Sequence, residues 1–510
     1  MRVGIDLGTT NTVVSYIDEN GCWNPVEFLF AGSRDNPYFL PSCVAVRDGE
    51  VLVGQPAVDY GMENPNNVLR NTKYYMEDSG RVFTVGNLQM TPADAATYVL
   101  SEVYRELQRQ FPEENGFHAF VTVPARFEQS ARYATKKALR DAGFQTDEAN
   151  CLTDEPIAAA IAYSASLDGD KLVLVVDIGG GTFDLSLLRT CIVGHAVSPN
   201  RLQPVMWGGE MHLGGNDVDE ILVRKMADAF LQESGVDLSM PPDSLAYTRM
   251  EESRAAAHIR SLAFQMKQQL YMDGSRQAIA YVNELLDGKT LDYTITTADY
   301  DAAMHDLTAQ FNRCIHNVYV GTDFSIGQTD HVLVVGGMAH ERCLLRTLEN
   351  IFGKAKLIVP DAETSMMLVS KGAAICNSGS RVHVDNRAYT TIGLLKKEGT
   401  AVVEIIKEGD TIEPNHVFRQ IISPARADAT MLELKLVEYR GKFNPSACTV
   451  ILREDIPLVG GAQQGIFRRL LHRKPLPPEL ELEIIFTEDK LLDIKLVQAD
   501  GTVNRLDVRL

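Results

Sequence analysis

Two short stretches of this chain carry the same chemistry. Val3-Gly4-Ile5-Asp6-Leu7-Gly8-Thr9-Thr10-Asn11-Thr12-Val13-Val14 recurs in outline as Val175-Val176-Asp177-Ile178-Gly179-Gly180-Gly181-Thr182-Phe183-Asp184-Leu185. Each copy reads as a strand, a carboxylate, a Gly/Thr turn and a second strand. Small turn residues let backbone N–H groups approach phosphate oxygens, the hydroxyls add donors, and an Asp at a strand end can hold the waters around Mg²⁺. One such hairpin alone is as well explained by an ordinary tight turn. Two facing copies would clamp a triphosphate between two lobes. Two further Gly-rich turns, Val335-Gly336-Gly337 after a buried strand and His212-Leu213-Gly214-Gly215-Asn216-Asp217, could border a base, a ribose or the phosphates.

Competing nucleotide and metal motifs lack support. Gly288-Lys289-Thr290 looks like the end of a P-loop, but Asn283 stands where that motif needs glycine. Neither GxGxxG nor HExxH occurs, which weakens dinucleotide binding and zinc hydrolysis.

The elements that must position these residues alternate between β-rich and helical runs from Arg2 to about Ser378, which predicts an α/β body. Thr91, Pro92 and Asp94 form a cap, a first-turn proline and a first-turn acid, opening an amphipathic helix through Leu100, Val103 and Leu107. A second helix is expected from about Phe127 to Asp141, stopping at Gly143. Ser244 to Tyr271 is periodic enough for one long helix, expected on an exposed part of a lobe. Lys371-Gly372-Ala373-Ala374 suits a closely packed helix, and the polar run Asn377-Ser378-Gly379-Ser380 marks a boundary.

Beyond that boundary the period changes to two. Leu432, Leu434 and Leu436 alternate with Glu433 and Lys435, and Leu480, Leu482 and Ile484 alternate with Glu479, Glu481 and Glu483. With candidates at Val402–Ile406, Val417–Ile421 and Leu492–Val497, the tail reads as a small antiparallel sandwich without a long helix. Phe467-Arg468-Arg469-Leu470-Leu471-His472-Arg473-Lys474 is a basic insertion, read as a solvated loop, with a partner or membrane contact as the rival reading.

Composition bounds the partners. The 510 residues are 45% hydrophobic and 23% charged, which suits a folded protein of several domains. Lys and Arg total 49 against 68 Asp and Glu; the net charge of −19 disfavours nucleic acid and anionic lipid. The eight cysteines form no CxxC pair and read as free, mostly buried thiols of a reducing compartment. No leader segment or membrane span is evident, so a cytoplasmic location is expected.

Taken together, the motifs resemble the seventy-kilodalton heat-shock chaperones of the DnaK type, within the actin-like ATPase superfamily. The matching pieces are Ile5-Asp6-Leu7-Gly8-Thr9-Thr10-Asn11, Val121-Thr122-Val123-Pro124-Ala125-Arg126-Phe127, Asp154-Glu155-Pro156 with Ala158-Ala159-Ala160, and Asp177 to Asp184, in family order, with Asn64-Pro65 and Lys73 also in place. The resemblance implies a two-lobed ATPase domain over residues 1–379, a linker at 380–388 and a β-sandwich peptide-binding domain at 389–510, without the family's helical lid. It implies ATP or ADP with Mg²⁺, and K⁺ near Asp184. Asp6 and Asp177 would hold Mg²⁺ through water, while Gly8, Thr9, Thr10, Asn11, Gly179, Gly180, Gly181 and Thr182 would cradle phosphate. Lys73 would stand by the γ-phosphate and the attacking water, which Glu155 and Asp184 would orient. Gly214, Gly215, Lys267, Gly336, Gly337, Met338 and His340 would border the nucleoside, and Pro124 and Arg132 would relay between lobes. Extended peptide segments, a J-domain co-chaperone and a nucleotide-exchange factor are the implied partners.

The chain departs from the family at several positions. Phe264, Gln268 and Tyr271 stand where the family presents Glu, Arg and Ser around the adenine, and His340 replaces an Arg. Cys151 replaces an Arg that receives the J-domain, and the apolar linker becomes Arg381-Val382-His383-Val384 before Asp385. A nucleotide-dependent module for a specific folded partner therefore stands beside the chaperone reading. A sugar-kinase-type phosphotransferase is the third, fitting the two hairpins but not Glu155-Pro156 or the tail.

Overall fold

The computed structural model describes residues 1–78, 80–146, 151–164, 167, 169–194, 201–271, 275–378, 382–396, 399–413, 416–424, 426, 429–458, 479–487 and 489–508. The basic insertion at 467–474 lies outside them, as do residues 379–381 of the expected boundary. The chain divides into two compact units: Met1–Ala125 with Lys137–Thr146 and Thr153–His383, and Arg126–Lys136 with Asp147–Leu152 and Val384–Leu510.

The first unit repeats one topology in two lobes. In one six-stranded sheet, Arg2–Leu7 runs antiparallel to Asn11–Ile17 and parallel to His118–Val123. In a second, Lys171–Ile178 runs antiparallel to Thr182–Cys191 and parallel to His331–Val335. The sequence echo is thus a structural one, with both Gly/Thr turns at the same place in equivalent hairpins. The central strands are apolar and buried on both faces, as sheets covered by helices require.

Helices fix where those strands end. Ala362–Asn377 packs on Arg2–Leu7 and on Glu155–Ser164. A Cβ added at Gly372 would lie 1.8 Å from the Ala158 carbonyl oxygen, so this contact admits no side chain. At its C-terminus Asn377 Nδ2 donates to the Val3 and His118 carbonyls, each at 2.9 Å, tying the helix to both strands. Pro92–Gln110 opens on a capping box: Thr91 Oγ1 accepts from Asp94 N at 3.1 Å and Asp94 Oδ2 from Thr91 N at 2.9 Å.

Two helices differ from expectation. Met250–Tyr271 starts six residues after Ser244, because Thr248 N and Arg249 N donate to the Glu252 carboxylate and the residues before them form turns. It is also no peripheral element: Ala255, Ile259, Ala263, Met266 and Leu270 are buried in the second lobe's core with Leu174, Val176, Phe183 and Leu222. Gln129–Asp141 starts two residues after Phe127. Gly288-Lys289-Thr290 lies at the turn of the hairpin formed by Gln277–Leu286 and Lys289–Thr296. Among the described residues no two cysteines are joined by a disulfide, and only Cys43, Cys151 and Cys343 are buried.

The second unit holds two four-stranded antiparallel sheets. One orders Val402–Ile406, Thr391–Leu395, Met431–Tyr439 and Thr449–Pro457; the other orders Val417–Ile422, Leu480–Phe486, Leu492–Val497 and Val503–Leu506. Their inward residues, among them Leu434, Leu436, Leu452, Leu482, Ile484 and Ile494, form one core, so the period-two pattern is the sandwich's inside face. The unit's two short segments are held by polar contacts. Asp489 Oδ1 accepts from Cys151 N at 2.6 Å and Leu152 N at 3.0 Å, its Oδ2 pairs with Lys136 at 2.6 Å, and Glu438 Oε2 accepts from Gln129 N at 2.9 Å. Arg132 is buried here, donating from Nε to the Phe127 carbonyl at 3.1 Å.

Candidate nucleotide site

The two hairpins meet turn to turn. A Cβ at Gly180 would fall 1.9 Å from Thr10 Oγ1, so the turns of the two lobes touch and the glycine is required by space. Each turn is braced from outside. Ser42 Oγ donates to the Gly8 carbonyl at 2.8 Å, and Ser42 N to the Thr10 carbonyl at 2.8 Å. On the other side Gly215 N and Asn216 N, at the start of the helix Gly215–Ser234, donate to the Gly179 and Gly180 carbonyls at 3.0 and 2.7 Å.

Strand register brings the carboxylates to the turns. Asp6 lies opposite Val13 and Thr122, and Thr122 Oγ1 donates to Asp6 Oδ1 at 3.2 Å. Asp177 lies directly opposite Asp184, a like-charged pair that ordinary sheet packing disfavours. Lys73, on the turn Thr72–Tyr75, pairs with Glu155, the first residue of the helix Glu155–Ser164. Their side chains are only 10% and 6% exposed.

The electrostatics of this cluster are unbalanced. Burial and then repulsion from Glu155 raise the Asp6 carboxyl to about 7, against attraction from Lys73. Burial, Glu155, Asp6 and Asp184 push Asp177 well above the usual carboxylate range. Burial alone would lower the Lys73 ammonium, but Glu155, Asp6 and Asp184 hold it above its ordinary value. One ammonium therefore serves several carboxylates, and the surplus negative charge suits a further cation. Among the described residues no three His, Cys, Asp or Glu side chains stand close enough to ligate a metal directly.

On the far side of the Gly214-Gly215 turn, Lys267 is buried. Its ammonium meets Asp219 Oδ2 at 2.8 Å and the Gly215 carbonyl at 3.1 Å, and lies 5.1 Å from the centre of the Phe264 ring. Met338 follows Gly336-Gly337; its N donates to the Ile178 carbonyl at 3.0 Å and its sulfur accepts from the Tyr271 hydroxyl at 2.7 Å. His340 Nε2 bonds the Pro360 carbonyl at 2.9 Å. Lys267 and His340 are both engaged with protein groups, and Tyr271 fills space that a serine would leave open.

Two lobes of matching topology, paired Asp-Gly/Thr hairpins at their meeting point and a following β-sandwich define an actin-like ATPase fold joined to a sandwich domain. Residues 2–395 match the family model described as Hsp70 protein, and the chain belongs to the Hsp70 family. Members of this family are nucleotide-binding chaperones that generally bind ATP or ADP with Mg²⁺.

Sequence reasoning missed three participants. Thr122, which fixes Asp6, is named from sequence only within the Val121–Phe127 match and carries no role there. Asp219, which neutralises Lys267, sits four residues after Gly215 on a helix whose inward face could have been read from Val218 and Leu222. Tyr74, next to Lys73, reaches the Gly181 turn and gave no signal in its own neighbourhood.

Proposed function

We propose that the protein is a Mg²⁺-dependent ATP-hydrolysing chaperone that couples nucleotide turnover to the capture of extended peptide segments by its β-sandwich. The observation that carries this reading is the buried Lys73–Glu155 pair beside Asp6, Asp177 and Asp184, set at the junction of two Gly/Thr turns. Thr9, Thr10 and Thr182 offer hydroxyls and the glycines offer backbone N–H groups to phosphate oxygens. Asp6 and Asp177 would hold Mg²⁺ through water, and when bound that ion supplies positive charge at the phosphates. Lys73 stabilises charge on the transferring phosphoryl group, and Glu155 and Asp184 orient the attacking water, with Asp184 also a site for K⁺.

The peptide half of the proposal rests on membership of the Hsp70 family and not on one apolar surface: of the exposed apolar strand residues, Ile421 lies on one sheet of the sandwich and Met431 and Val450 on the other. A J-domain co-chaperone and an exchange factor are the regulators this reading calls for. Cys151 is buried with its N–H on Asp489, so a J-domain would have to engage without a cation at that position.

Calorimetric titration tests the nucleotide half. ATP should bind with Mg²⁺ and lose about tenfold or more in affinity when Asp177 is changed to Asn, because one charged contact to the ion's shell is worth roughly 1.5–3 kcal/mol. Binding indifferent to both Mg²⁺ and the substitution would overturn the assignment of Asp177.

A further inference from the structure

Tyr74 projects from the turn Thr72–Tyr75 onto the second hairpin. A Cβ at Gly181 would lie 2.4 Å from its Cζ and 2.6 Å from its hydroxyl oxygen, so the hydroxyl end of the ring abuts the residue just before Thr182. Asn216 Nδ2 donates to the Tyr74 hydroxyl at 3.2 Å. The imidazole of His212 stacks on the same ring, with centroids 4.8 Å apart and planes 27° from parallel. From its own side the ring is braced by Tyr75, edge-on at 6.3 Å, which in turn meets Phe83 at 5.3 Å and lies under Arg81 at 4.8 Å.

One aromatic ring thus joins the segment carrying Lys73 to three elements of the opposite lobe: the Gly181 turn, the start of the helix Gly215–Ser234 and the loop at His212. His212 is built for this place, since its backbone is left-handed at φ 62° and carries an exposed ring back over Tyr74. We infer that Tyr74 is a positioning residue that latches the two lobes at the phosphate end of the cleft and so slows nucleotide release. The inference rests on the nucleotide reading above, because the latch lies beside the turn that reading assigns to phosphate. Burial, with nearby Asp217 and Asp219, raises the phenol above its ordinary range, so it stays a neutral hydroxyl at physiological pH.

Release of a ribose-linked fluorescent ADP, followed by chasing with unlabelled ADP, tests the latch on the full chain. An aromatic stack and one hydrogen bond together predict about tenfold faster release for Tyr74→Ala, with the single-turnover hydrolysis rate moving much less. Tyr74→Phe keeps the stack and should restore most of the slow release. His212→Asn, which tolerates the left-handed backbone but removes the ring, should speed release severalfold and covers the case in which Tyr74→Ala fails to fold. Release at the wild-type rate in both Tyr74→Ala and His212→Asn overturns the latch while the nucleotide reading stands. A loss of hydrolysis with release unchanged also overturns it, placing Tyr74 in the chemical step. A wild-type chain that binds neither ATP nor ADP removes the nucleotide reading and the latch together.

Discussion

Lys73 and Glu155, 82 positions apart in the chain, form an ion pair almost shut off from solvent at the meeting point of two Asp-bearing hairpins. Neither residue would be held there by the other alone. Removing two charges from water costs several kcal/mol per ion, so the pair persists because Asp6 and Asp184 also attract the ammonium.

If Lys73 acts on the transition state, Lys73→Ala lowers single-turnover ATP hydrolysis by about 10²-fold or more while ATP affinity changes only a few fold. An equal fall in affinity and rate would make Lys73 a ground-state phosphate contact.

Glu438 gives the sandwich unit a pH dependence. Burial, then repulsion from Glu128, raises its carboxyl from 4.5 to about 7, while bonds from Thr390 and Gln129 and attraction from Arg440 oppose this. The folded state then holds a proton that the unfolded chain releases between these values, so stability falls as pH rises from about 4.5 to 7. Urea midpoints of the sandwich transition should decline over that range in the wild type and lose most of that decline in Glu438→Gln. An unchanged slope in the variant would contradict the assignment.

Asp489 satisfies two backbone amides and one ammonium. Asp489→Ala strands these donors and should destabilise the unit by roughly 2–5 kcal/mol. Hydrogen exchange offers a local readout: the Cys151 and Leu152 amides lose protection first. Protection equal to the wild type at both amides would show that solvent or another acceptor replaces the carboxylate.

Close helix packing makes Gly372 intolerant. Gly372→Ala overpacks the contact with Ala158 by a clash that only a backbone shift can relieve, at about 1–3 kcal/mol. Differential scanning calorimetry should show the transition of the first unit lowered by several degrees, with the sandwich transition unmoved. A variant as stable as the wild type would mean that the helix Ala362–Asn377 can slide.

What could be read from sequence was local. The Thr91-Pro92-Asp94 cap, the two hairpins and the alternating strands near Leu434 and Leu482 each carry their signal within a few residues, and the structure places all of them as expected. Contacts set by tertiary packing were illegible. Gln129 meets Glu438 across 309 positions, and nothing near either residue announces the other. Tyr74 reads as one more aromatic after Lys73 until the Gly181 turn is placed under its ring. The charges of the helix Met250–Tyr271 point to an exposed position, while its small residues Ala255, Ala256 and Ala263 mark the face that is buried.

Single-turnover ATP hydrolysis by the purified full-length protein, with Mg²⁺ and K⁺, in the presence and absence of an unfolded hydrophobic peptide, tests the central claim most directly. The account predicts hydrolysis that depends on Mg²⁺ and Lys73 and is accelerated by peptide. Hydrolysis indifferent to peptide would contradict coupling, and no hydrolysis under either condition would contradict the proposed chemistry of Lys73, Glu155 and Asp184.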